Sequence, residues 1–175
     1  RRVRMPSDLV RGRSMPQMRT VDVGDISLRC AIEGDPSSDA PLVIFVHGFP
    51  ESWYSWRHQL GPVAQAGYTA CAIDVRGYGG SDKPQAIEEY ALEKIVGDLV
   101  GLKTALSPER KAILVGHDWG APIVWNTALT NPDHFRAVAG LSVPFAGVPQ
   151  RPFASCPFAG SNQRSRQQRN PVRLH

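Results

Sequence analysis

The stretch "KAILVGHDWGAPIVW", residues 111–125, decides the fold of this 175-residue chain. Its first half is a run of branched and small apolar residues, the pattern of a strand buried on both faces. Its second half continues through "WGAPIVWNTALTN" as a helix. Between them stands Gly116-His117-Asp118-Trp119-Gly120, a small-X-acid-X-small pattern at a strand-to-helix junction. So sharp a turn strains the backbone of its central residue. Glycines two positions away on either side remove the Cβ atoms that the close approach would crush. This is the pattern of a nucleophile elbow with Asp118 at its tip. Pro122 is tolerated there because the N–H groups of a first helical turn lack helical partners. The competing reading makes Asp118 an ordinary helix cap that accepts a backbone N–H.

The same alternation extends outward. "PLVIFVHGFP" (41–50) and "YTACAIDVRGYGG" (68–80) read as further buried strands that end in glycine-bearing loops, and "FRAVAGLSVP" (135–144) as the last strand. Helices follow at "SWYSWRHQLGPVAQAG", ending at Gly67, and over 91–106, where Leu92, Ile95, Val96, Leu99 and Leu102 form an amphipathic stripe. Near the start, "TVDVGDISLRCAIEG" offers two extended pieces around a Gly24-Asp25 turn, with structure beginning near Thr20. The expected fold is α/β, a mostly parallel sheet with helices on both faces. Ligands collect at the carboxyl ends of such strands. His47-Gly48-Phe49-Pro50, Asp74-Val75-Arg76-Gly77 and His117-Asp118-Trp119 all lie at those ends.

Charge is distributed unevenly. Residues 1–19 hold six arginines against one acid, and residues 151–175 hold five arginines and none, while residues 20–150 carry nine Lys/Arg against fifteen Asp/Glu. The basic character therefore belongs to the ends. Residues 1–19 and the arginine-rich 151–175 read as disordered segments, the latter also readable as non-native sequence, on either side of a partial core at 20–150. No basic face with groove-reading or stacking elements is legible, so nucleic acid is not an expected partner. No apolar run approaches a membrane span. Cys30, Cys71 and Cys156 are odd in number and unpatterned, which suits a reducing, cytoplasmic setting. Neither a metal nor a cofactor is expected, and the oligomeric state is not legible.

A carboxylate on an elbow can form a covalent ester with a saturated carbon that bears a leaving group, as in an epoxide or an alkyl halide. "HGFPESWYSWRHQL" (47–60), "DVRGYGGSDKP" (74–84), "VGHDWGAPIVW" (115–125) and "FRAVAGLSVPF" (135–145) together resemble the epoxide hydrolases of the α/β-hydrolase superfamily, over about residues 21–147. The resemblance implies Asp118 as nucleophile and the backbone N–H groups of Phe49 and Trp119 as an oxyanion hole. It implies a cis Phe49–Pro50 bond, structural roles near the site for His47, Gly48, Pro50 and His117, and a small-molecule epoxide as substrate. Trp53 is a tentative substrate-binding residue. Asp74 and Arg76 read as loop braces, and His134 as a surface residue.

The resembling family also uses a later acid, a later histidine and two tyrosines from a cap domain. After Asp118 this chain has only Asp133 as a carboxylate and only His134 and His175 as histidines, and its four tyrosines all precede the elbow. The pattern breaks near residues 145–150, ahead of the cap and last strands, and turnover by these 175 residues alone is not expected. Two other readings stand beside this one: a haloalkane or haloacid dehalogenase, and a non-catalytic truncated product or pseudoenzyme. A misread gene is tested by translating the other two frames downstream of codons 144–151. Cap tyrosines and an acid-then-histidine ending are the expected result, and their absence removes the frame error.

Overall fold

A computed structural model of the chain describes residues 15–145 and Gly147. Most of the disorder expected for residues 1–19, and all of that expected for 151–175, falls outside the described residues. The chain divides after Phe145 into two units, and every described secondary-structure element belongs to the first.

The hairpin forms as its turn signal implies. β1 (Gln17–Asp22) runs antiparallel to β2 (Ser27–Glu33), closed by the Val23 N–H on the Ile26 carbonyl at 3.0 Å. β1 begins three residues before the expected Thr20, because Gln17, Met18 and Arg19 pair with Ile32, Ala31 and Cys30. Propensity is weak there, and the partner strand supplies the order. β3 (Leu42–Val46), β4 (Thr69–Ile73), β5 (Ala112–His117) and β6 (Phe135–Leu141) follow. The sheet order is β1-β2-β4-β3-β5-β6, with β4, β3, β5 and β6 parallel and β2 antiparallel to β4. Parallel neighbours need crossovers, which α1 (Arg57–Gln65), α2 (Leu92–Leu106) and α3 (Gly120–Thr130) provide.

β3 and β4 are buried at every position, so both pleat faces find cover. On one face Val43, Phe45, Ala70 and Ala72 pack with Leu60 of α1 and with Trp56 of the 3₁₀ turn preceding it. On the other, Ile44, Val46, Ile73 and Leu114 meet Leu99 and Leu102 of α2 and Val124 of α3. Each such large side chain contributes about 1.5–3 kcal/mol on burial. That packing holds α1 helical across Gly61-Pro62, a poor helical pair on propensity alone.

The sheet is covered unequally, which corrects the expectation that 111–118 is a strand buried on both faces. In β5 only Ala112, Leu114 and Gly116 are buried, and Ile113, Val115 and His117 remain half-open. α1 packs over β4 and β2, and Ile113 and Val115 of β5 only flank the cluster of Phe45, Trp56 and Leu60 on that side. β6 is an edge strand, exposed at most of its positions.

α2 departs from its binary pattern. Asp98 and Lys103 are buried beside Leu99 and Leu102, and Val96 is only half-buried. Asp98 is there for Arg76, whose side chain is 1% exposed at the end of β4. The guanidinium bonds it bidentately, Nε to Oδ2 at 2.8 Å and Nη2 to Oδ1 at 2.6 Å. Nη1 donates to the carbonyl and carboxylate of Glu89, both at 3.0 Å. A buried ion pair is worth little against an apolar substitute, but breaking one strands a charge. Asp98→Ala should lower the unfolding free energy by about 3 kcal/mol in urea denaturation; an unchanged midpoint would show that Glu89 alone suffices.

Candidate active site

The loops after β3, β4 and β5 converge at one end of the sheet. Asp118 follows the last residue of β5 with φ of +52°, in the left-handed region that aspartate tolerates better than most residues. Its N–H donates to the Leu141 carbonyl at 3.2 Å, and its carbonyl accepts the Ala121 N–H at 3.0 Å as α3 begins. A Cβ at Gly120 would overlap the Val46 carbonyl, and one at Gly116 would overlap the Gly120 backbone. Those two glycines allow the elbow to lie against β3.

The Asp118 carboxylate points across to the loop after β3. Oδ1 accepts the Phe49 N–H at 2.9 Å. A capping aspartate needs only donors from its own helix, and here one comes from a loop 69 positions earlier. The Phe49 N–H, then the Trp119 N–H, hold the carboxyl below the ordinary aspartate value of 3.8, with a smaller contribution from His117. Asp118 is therefore a carboxylate at neutral pH.

The residues singled out from the sequence fall as follows. Phe49–Pro50 is cis, and Phe49 and Trp119 are exposed at the mouth, 63% and 67% respectively. Gly48 lies directly against Asp118, where any Cβ would strike the carboxylate. His47 is buried: its Nε2 accepts the Val75 N–H at 3.0 Å, so Nδ1 carries the proton and donates to the Gly48 carbonyl at 2.8 Å. Burial pushes its pKa below the usual 6.5 against opposing pulls from Gly48, Asp74 and Glu51. His47 is a neutral scaffold member. His117 is half-buried, with Nδ1 3.7 Å from Glu51 Oε2.

Asp74, fully buried, ties two loops to β2. Oδ1 accepts the Trp53 N–H at 2.9 Å, and Oδ2 accepts from Gly80 N–H at 2.8 Å and Arg29 Nε at 2.6 Å. Trp53 packs against the Phe45–Trp56 cluster. A cavity of about 210 Å³ beside the elbow is lined instead by residues that include Gly48, Val75, Tyr78, Tyr90, Trp119 and Ile123. Of these, Tyr78, Tyr90 and Ile123 had no site role from sequence. Glu51 was also missed: its Oε2 accepts the Gly48 N–H at 3.3 Å. Its only sequence signal is an acid one residue past the turn proline.

No group of three or more His, Cys, Asp or Glu side chains among the described residues forms a metal cage. Likewise, no helix there is long and apolar enough to cross a membrane.

The chain is similar to known proteins over most of its length. Residues 41–170 match the family model described as the alpha/beta hydrolase fold. Epoxide hydrolase A of Mycobacterium tuberculosis is 52% identical over 129 residues, which cover 74% of this chain and 39% of that protein. The crystal structure of epoxide hydrolase A from Mycobacterium thermoresistibile superposes with a TM-score of 0.70 at 49% identity, over 74% of this chain and 40% of that one. An epoxide hydrolase from Vigna radiata gives 0.69 at 43% identity, over 75% and 39%. The chain thus spans about two fifths of the length of these relatives.

Because His47 is neutral when folded and its pKa is lowered, the unfolded chain binds the proton more readily. The stability this contributes is present above pH 6.5 and declines as pH falls from there towards the folded pKa. Urea midpoints measured between pH 7.5 and 5.5 should fall, and His47→Gln should flatten that slope. An identical slope in the variant would remove His47 as its source.

Proposed function

On the premise that this chain belongs to the α/β-hydrolase family, we propose that it is the nucleophile-bearing part of an epoxide hydrolase and that Asp118 opens the ring. The observation that carries the reading is the ionised carboxylate at φ +52°, held by a donor from the loop after β3. The relatives at about half identity supply the substrate class, a small-molecule epoxide.

Oδ1 is tied to the Phe49 N–H, which leaves Oδ2 to attack a ring carbon from behind its C–O bond. The new bond is an aspartyl ester. The broken one releases the ring oxygen, which takes a proton from water to become the hydroxyl of a hydroxyalkyl ester. Hydrolysis of that ester passes through a tetrahedral oxyanion at the former Oδ1, where the Phe49 N–H already donates and the Trp119 N–H is the second donor of the proposed hole. One such donor is worth about 3–4 kcal/mol. No step calls for a metal or cofactor.

Hydrolysis also needs a base for the attacking water. His47 is committed to two loop contacts, and beyond Asp118 these 175 residues offer only Asp133, His134 and His175. The ester should therefore accumulate on this chain by itself. The free, buried thiols of Cys30 and Cys71 fit a reducing, cytoplasmic setting.

Intact-mass spectrometry after incubation with excess styrene oxide should show one added epoxide mass, mapped by peptide analysis to Asp118 and absent in Asp118→Asn. Alkylation that survives Asp118→Asn overturns the nucleophile assignment. Sustained diol formation by the purified chain overturns the single-turnover reading.

A further inference from the structure

Gly48 sets a problem that its own backbone cannot solve. The elbow carboxylate requires glycine there, since a Cβ would overlap Asp118. Glycine, however, is the residue with the freest φ and ψ, and the Phe49 N–H that reaches Asp118 belongs to the peptide plane immediately after it. A donor within a loop is preorganised only if both peptide planes flanking Gly48 are fixed from outside.

The plane after Gly48 is fixed through its carbonyl, which accepts His47 Nδ1–H at 2.8 Å and the Glu51 backbone N–H at 3.0 Å. Because that peptide is planar, holding its oxygen aims its N–H. The plane before Gly48 has one tie, its N–H on Glu51 Oε2 at 3.3 Å. The same oxygen lies 3.7 Å from Nδ1 of His117, the residue immediately before Asp118. We propose that Glu51 is a positioning residue: its Oε2 locks the Gly48 backbone and, through His117, fastens the donor loop to the strand end that carries Asp118. The inference rests on Asp118 being the nucleophile only for its catalytic meaning; the coupling itself concerns the free chain. Glu51 touches no reacting atom.

The test is NMR spectroscopy on the full labelled chain without epoxide, so its failure and that of the ring-opening reading are separate results. Two signals report the donor loop: the Phe49 amide proton and the pH midpoint of the Asp118 carboxyl carbon. Glu51→Met keeps the aliphatic stem and removes the acceptor. It should move the Phe49 amide upfield and raise the Asp118 midpoint by about one pH unit, as expected for a weakened bond to a carboxylate. Glu51→Gln restores a neutral acceptor for the Gly48 N–H and should return the Phe49 amide close to its parent position. A residue that merely filled space would not show that rescue. Signals unmoved in Glu51→Met, or moved equally in both variants, overturn the proposal. Should Glu51→Met fail to fold, hydrogen exchange in the parent decides: a protected Gly48 amide supports the lock, and one exchanging like an unstructured glycine overturns it.

Discussion

The bond from the Phe49 N–H to the Asp118 carboxylate is the contact on which the site depends. It joins the ends of β3 and β5, two adjacent parallel strands, across 69 positions of sequence. The bond forms only because glycine occupies positions 48, 116 and 120, where a Cβ would strike Asp118, the Gly120 backbone or the Val46 carbonyl. The cost is a left-handed aspartate, of order 1 kcal/mol, and the surrounding hydrogen bonds hold it there. The result is a carboxylate that stays ionised and has the Phe49 N–H on it before any substrate arrives.

Buried charge does the remaining positioning. Asp74 gathers Trp53, Gly80 and Arg29 onto one carboxylate at the end of β4. Two residues on, Arg76 ties the same loop to Asp98 of α2 and to Glu89. His47, neutral and buried, links the β3 loop to Val75. These polar groups are each satisfied, which is the condition for burying them at tolerable cost. Together they place three loops at one end of the sheet, with apolar packing beneath them on both faces of β3 and β4.

The far side of the sheet is less complete. β6 is an edge, exposed at most of its positions, and on the α1 side Ile113 and Val115 of β5 are only half-buried. Edge strands of this kind are prone to pair with other chains. The chain spans about two fifths of the relatives it matches.

Much of this was legible in one dimension. Continuous apolar runs that end in glycine specified β3 and β4, and the spacing around Asp118 specified the elbow, because period and steric need are local properties of a chain. The roles of His47, Asp74 and Arg76 as braces were legible as well, since a polar residue at a buried strand end must find partners near it. What the chain alone could not disclose was which partners. Asp98 and Lys103 sit inside a helix face that binary pattern marks as polar, and only Arg76, arriving from β4, and the Pro108 carbonyl, from the turn beyond α2, explain them. Ile113 and Val115 read as doubly buried, yet cover depends on where α1 lands, a tertiary fact. Glu51 carried almost no signal, because its importance comes from the freedom of a glycine three residues earlier and a histidine 66 positions later. Backbone period and close approach are written locally; pairing of charge and donor across the sheet is decided only when the strands meet.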